Sequence, residues 1–78
     1  TQETRKRVAD LVRCIDDQIS IHDFRMVVGP THTNVIFDAV VPFGFHLADD
    51  EVAKKIQDAV RALDGNYYAV VTVERSYT

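Results

Sequence analysis

The chain is 78 residues long, with 46% hydrophobic and 27% charged residues and 9 Lys+Arg against 12 Asp+Glu, a formal net charge of −3. That leaves room for one small domain, since a domain usually takes ~100–200 residues, and it excludes a disordered, strongly charged tail. No run approaches the ~18 consecutive apolar residues of a membrane span, and the mild acidity argues against a nucleic-acid binder that works through a basic face.

The first predicted element is a helix over residues 3–17. Val8, Leu11, Val12 and Ile15 fall at i, i+3, i+4 and i+7, which is one helical face. Arg5, Lys6, Arg7 and Arg13 lie mostly off that stripe, and Asp16-Asp17 marks its end. Residues 19–28 (ISIHDFRMVV) are rich in β-branched and aromatic side chains and read as a strand. Gly29-Pro30 stops it, because Pro cannot donate to a ladder and the pair is strong turn punctuation. A second strand follows over residues 34–41 (NVIFDAVV), halted by Pro42 and Gly44. The short link between the two predicts a hairpin.

Residues 49–63 form the second helix, with Val52, Ile56, Ala59 and Leu63 as its apolar stripe. Asp49, Asp50 and Glu51 sit in its first turn, where carboxylates suit the positive end of the helix dipole. Asp64-Gly65-Asn66 is a C-terminal stop. Tyr67 to Glu74 (YYAVVTVE) is the closing strand. The order is α-β-β-α-β. The second strand, second helix and third strand make a crossover unit with parallel strands. The fold class is therefore α+β: a ferredoxin-like arrangement with two helices on one face of a three-stranded mixed sheet.

NVIFDAVV and YAVVTV are near-continuous apolar runs, which implies burial on both faces. Two helices cover only one face. A chain this short also buries only roughly 60–65% of its unfolded surface. Both points predict a second copy of the chain against the sheet. The lone Cys14 excludes an internal disulfide and fits a reducing compartment. Thr1 in place of Met reads as the start of a piece of a longer protein.

No phosphate-binding Gly loop, CxxC, HExxH or Ser–His–Asp pattern is present, and no clustered acid/base set stands out, so an enzyme is not expected. Cys14 beside Arg13 reads as a small packed side chain rather than a nucleophile. His22-Asp23, His32 and His46 are scattered along the chain. Imidazole with carboxylate is the ligand set that zinc and similar divalent ions select. Asp38 interrupts an apolar strand, where a carboxylate needs a partner. The hairpin brings it within reach of the first strand, so it is read either as half of a salt bridge with Arg25 or as a metal ligand with His22. The basic patch Arg5-Lys6-Arg7 is a solvated helix face, or, below a membrane, a contact for anionic lipid.

Taken together, IHDFRMVVGPTHTNVIFDAVVPF, a helix, and YYAVVTVERSY resemble the cytoplasmic C-terminal domain of cation diffusion facilitator transporters, which export zinc and other divalent cations. His22, Asp23, Phe24 and Arg25 carry that family's HD-[FL]-R strand signature, and the likeness spans essentially the whole chain. The resemblance implies a homodimer through this domain, on the cytoplasmic face of the membrane, beneath a transmembrane domain of the same protein. It implies a regulatory role in which Zn2+ or another divalent cation biases the dimer geometry. His22 matches the family's first-strand histidine. Asp38 and Asp50 fall where many members have further histidines. In the closing strand Val73 and Arg75 stand where many members supply ligands. The alternative reading is a ferredoxin-like small-ligand-binding regulatory module unconnected to a transporter, which would usually begin with a strand.

Overall fold

A computed structural model describes residues 2–76. The chain forms α1 (Gln2–Ile15), β1 (Ser20–Val28), β2 (Thr33–Pro42), α2 (Asp49–Leu63) and β3 (Tyr67–Ser76). The three strands make one sheet in the order β1-β2-β3. β1 pairs with β2 antiparallel, and β2 pairs with β3 parallel. The α-β-β-α-β order and the mixed sheet agree with the fold class read from the sequence.

β2 is the centre of the molecule. Its side chains alternate strictly, with Val35, Phe37, Ala39 and Val41 buried and the residues between them half-buried. The buried row faces Val8 and Val12 of α1 and Val52, Ile56 and Val60 of α2, all at 1% exposure or less. Those helical residues sit at i, i+4 and i+8, so each helix turns one stripe inward. α1 packs on β1 and α2, and α2 packs on β3. Among the described residues no polar or charged residue is buried. The core is held by apolar burial alone.

Both helices leave for their strands by the same device. Asp16 accepts the Gln18 N–H through Oδ1 at 2.9 Å and the Ile19 N–H through its carbonyl at 3.2 Å. Asp64 does the same for Asn66 at 2.9 Å and Tyr67 at 3.0 Å. These Asx turns satisfy the N–H groups of the residues that lead from each helix into the next strand. They also explain why α1 stops at Ile15 rather than running to residue 17, since Asp16 leaves the helix to close its turn. At the other end of α2, Ala48 has no side-chain acceptor; Glu51 Oε1 instead accepts the Ala48 N–H at 3.3 Å.

Three details of the sheet depart from the expected bounds. β2 and β3 extend to Pro42 and Ser76. Pro42 is tolerated because it ends its strand, where a missing N–H costs little. Its carbonyl then accepts the Phe45 N–H at 3.0 Å, closing a turn in which Gly44 takes φ 85°. In the hairpin the Gly29 N–H donates to the His32 carbonyl at 2.9 Å. A Cβ at Gly29 would lie 2.9 Å from that same oxygen, so the turn requires glycine.

The third departure is a β-bulge that the strand pattern does not announce. His22 pairs with Asp38 and Arg25 pairs with Ile36, so Asp23 and Phe24 oppose Phe37 alone. Asp23 takes φ 57°, a left-handed conformation that Asp adopts more readily than most residues. The extra residue shifts the phase of the strand. Ile21, Phe24 and Met26 turn toward the core, and His22, Arg25 and Val27 turn the other way. Phe24 then stacks on Phe37 with ring centroids 6.0 Å apart.

Two stability outcomes follow. Ile56→Ala should cost about 2–5 kcal/mol in urea denaturation, against about 0.5–1.5 kcal/mol for Ile56→Val. Asp23→Val should cost about 1–3 kcal/mol, because a β-branched residue resists the left-handed region, while Asp23→Gly should change stability by much less.

Candidate functional site on the open sheet face

The helices lie on one face of the sheet, and the opposite face carries every second residue of each strand. Register across β1, β2 and β3 sets these out in rows: Ser20–Val40–Glu74, His22–Asp38–Thr72, Arg25–Ile36–Val70 and Val27–Asn34–Tyr68. Directly opposed side chains in such rows have Cβ atoms about 4.5–5.5 Å apart. The face mixes apolar and ionisable groups. Val27 is 48% exposed, Tyr68 52% and Val70 40%.

His22 and Asp38 are therefore direct cross-strand neighbours, brought together by the hairpin and by the register that the bulge sets. His22 is exposed and Asp38 half-buried. Ser20 Oγ lies 3.5 Å from the imidazole Nε2 on the same face. The Asp38 carboxylate has no hydrogen-bond or ion-pair partner among the described residues.

The salt bridge between Asp38 and Arg25 does not form. Among the described residues the ion pairs are Arg7–Glu3, Lys54–Asp58 and Arg75–Asp49. The bulge moves Arg25 one row along, beside Ile36. An exposed pair gains only ~0–1 kcal/mol, too little to hold a flexible guanidinium across that diagonal.

Asp50 stands elsewhere. It lies in the first turn of α2, in the helix layer, and its Oδ1 accepts the Glu51 N–H at 3.0 Å. The fold thus unites His22 and Asp38 and places Asp50 apart from them. Among the described residues no three His, Cys, Asp or Glu side chains are grouped closely enough to hold a metal ion. Among the described residues the open face sets His22 and Asp38 side by side as candidate ligands, with Glu74 one row away.

The closing strand differs from the plain residue count. Thr72, not Val73, stands beside Asp38 on the open face, and Val73 pairs with Ala39 on the core side. Thr72 was not picked out from the sequence, since only the parallel register reveals it. Arg75 also leaves the open face. Its Nε donates to Asp49 Oδ1 at 3.0 Å, Nη2 to the Leu47 carbonyl at 2.7 Å and Nη1 to the Phe45 carbonyl at 3.4 Å. With its side chain 25% exposed, it clamps the segment between β2 and α2 to the end of β3. The planar guanidinium suits such a set of acceptors, which an ammonium cannot match.

Architecture and open face together define a class: a ferredoxin-like α+β domain with one uncovered sheet face bearing a His–Asp pair. No family model and no curated protein matches the chain. Among solved structures it is similar to that of a candidate zinc transporter, CzrB, with a TM-score of 0.79 over 99% of this chain and 98% of that chain at 16% sequence identity. The likeness establishes a shared fold from end to end. No helix among the described residues is long and apolar enough to cross a membrane.

Arg75→Ala should destabilise the domain by about 1–3 kcal/mol, because two carbonyls and a carboxylate lose a charged donor. Arg75→Lys should recover less than half of that loss. Hydrogen exchange at residues 43–48 should speed up in both variants more than exchange in β2.

Proposed function

We propose that this chain is the dimerisation and regulatory domain of a divalent-cation exporter of the cation diffusion facilitator type, held on the cytoplasmic side of the membrane by a transmembrane domain of the same protein. One agreement between two observations carries the reading. The first-strand HDFR signature and the end-to-end fold likeness to the candidate zinc transporter CzrB point to the same class from independent directions.

The open sheet face supplies the physical means. Two copies meeting through it would cover Val27, Tyr68 and Val70, which a monomer leaves in water. They would also bring two His22 and two Asp38 side chains toward one another. Four nitrogen and oxygen ligands are what zinc takes, and imidazole with carboxylate is a suitable set. A cation between the copies would offset the charge of the half-buried Asp38 carboxylate, which has no partner among the described residues. A cation bound more tightly by the approached pair than by the separated pair shifts the population toward approach. Asp50 is the outlying third candidate, exposed with Asp49 and Glu51 on the helix layer. Cation occupancy acts here on geometry, and the domain carries out no catalysis.

Light scattering on the 78-residue chain should give a dimer at tens of micromolar, and Val70→Asp should give a monomer with an unchanged far-UV spectrum. Zinc titration by calorimetry should show uptake in the wild type and none in the His22→Ala, Asp38→Ala double variant. A monomer at high micromolar concentration, with and without zinc, would overturn the dimer. An undiminished heat of zinc binding in the double variant would remove both residues from the site.

A further inference from the structure

The open face and the Arg75 clamp leave one strongly charged surface without a role. α1 carries four basic and two acidic residues, a surplus of two positive charges in a chain of net charge −3, so the remainder carries −5. Within α1 the charges are sorted again. Gln2, Arg5, Lys6, Ala9 and Arg13 fall at i, i+3, i+4, i+7 and i+11, which is one face of the helix. Val8 and Val12, both buried, define the core-facing stripe beside it, and Ala9 lies at the seam where the basic face meets that core. Arg7 stands off the basic face and is held by Glu3 at 3.3 Å. Arg5, Lys6 and Arg13 are exposed and take part in no ion pair among the described residues. Asp10 is the acidic residue at the border of this face.

We infer that the outer face of α1 is a docking surface for the anionic leaflet of a bilayer, with Arg5, Lys6 and Arg13 as its lipid-phosphate contacts. This rests on the proposed function, which tethers the domain beneath a membrane. Charge complementarity chooses the occupant. A domain whose remaining surface is acidic is repelled by a polyanion that wraps it, but it can present one basic stripe to a flat negative surface. The stripe has no aromatic residue for stacking on bases, which separates it from a single-strand nucleic-acid platform. The placement also leaves the proposed dimer intact. Arg5, Lys6 and Arg13 are exposed on the helix side, and the open sheet face lies on the other side, so both surfaces can be occupied at once. Three cations are a weak anchor alone, worth about fivefold each in partitioning at low salt. Such a contact orients a tethered domain without immobilising it.

The test uses the 78-residue chain, vesicles of neutral phosphatidylcholine and vesicles containing a substantial fraction of phosphatidylserine. Cosedimentation at low salt should show binding to the anionic vesicles and none to the neutral ones. Amide signals of α1 should broaden ahead of those of β2 and β3. Binding should fall steeply with added salt. The Arg5→Gln, Lys6→Gln, Arg13→Gln variant should lose roughly 100-fold in partitioning while keeping its far-UV spectrum. The outcome is overturned if anionic vesicles do not bind at low salt, or if the triple variant binds equally well. It is also overturned if soluble polyglutamate or single-stranded DNA protects α1 more strongly than the vesicles do, which would assign the face to an acidic polymer. Light scattering reads the dimer independently. A chain that binds vesicles through α1 yet stays monomeric would break the proposed function and leave this surface standing, and the reverse result would do the opposite.

Discussion

Two helices can cover only one face of a three-stranded sheet, and the rest of this molecule follows from that limit. β2 is the strand that bears the consequence. Its Val35, Phe37, Ala39 and Val41 row is sealed under α1 and α2, while Asn34, Ile36, Asp38 and Val40 look out on the uncovered side. A sheet whose second face was meant for water would carry mostly polar residues there. This one carries Ile36, Val40, Val70 and Tyr68 among a few ionisable groups. The composition of the open face is intermediate between a core and a surface.

The β1 bulge decides what that face contains. Without the extra residue, alternation from Ile21 would send Asp23 and Arg25 inward with it, and His22, Phe24 and Met26 outward. The single left-handed residue at Asp23 reverses the phase halfway along. Phe24 gains a place against Phe37, and Arg25 reaches the open face one row beyond His22. The HDFR tetrapeptide is thus a structural device. Its Asp tolerates the required backbone, its Phe anchors the returning strand, and its His is left beside Asp38.

The far end of the sheet is held by different physics. In the segment between Pro42 and Asp49 the Phe45 and Leu47 carbonyls accept from Arg75, near the end of β3, which also bonds Asp49. A guanidinium there does without a cation what a bound ion would otherwise do: it gathers carbonyl and carboxylate oxygens at one point. The positive charge is taken up by Asp49 and two carbonyls, away from His22 and Asp38.

Much of this was legible in the chain itself. Helical periodicity at Val8, Val12, Val52 and Ile56, and turn chemistry at Gly29-Pro30 and Asp64-Gly65-Asn66, determine five elements and their order, because local spacing and backbone chemistry act over a few residues; that Val60, and not Ala59 or Leu63, completes the buried stripe of α2 is decided by packing. The uncovered apolar face was legible for the same reason, since continuous strands outnumber the helices available to cover them. Pairwise facts were not. That Asp38 stands against His22 and Thr72, that Arg25 misses Asp38, and that Arg75 reaches back to Asp49 all depend on register, a bulge and a parallel crossover. Those bring together residues tens of positions apart, and no local pattern encodes such a distance; only the packed fold decides it.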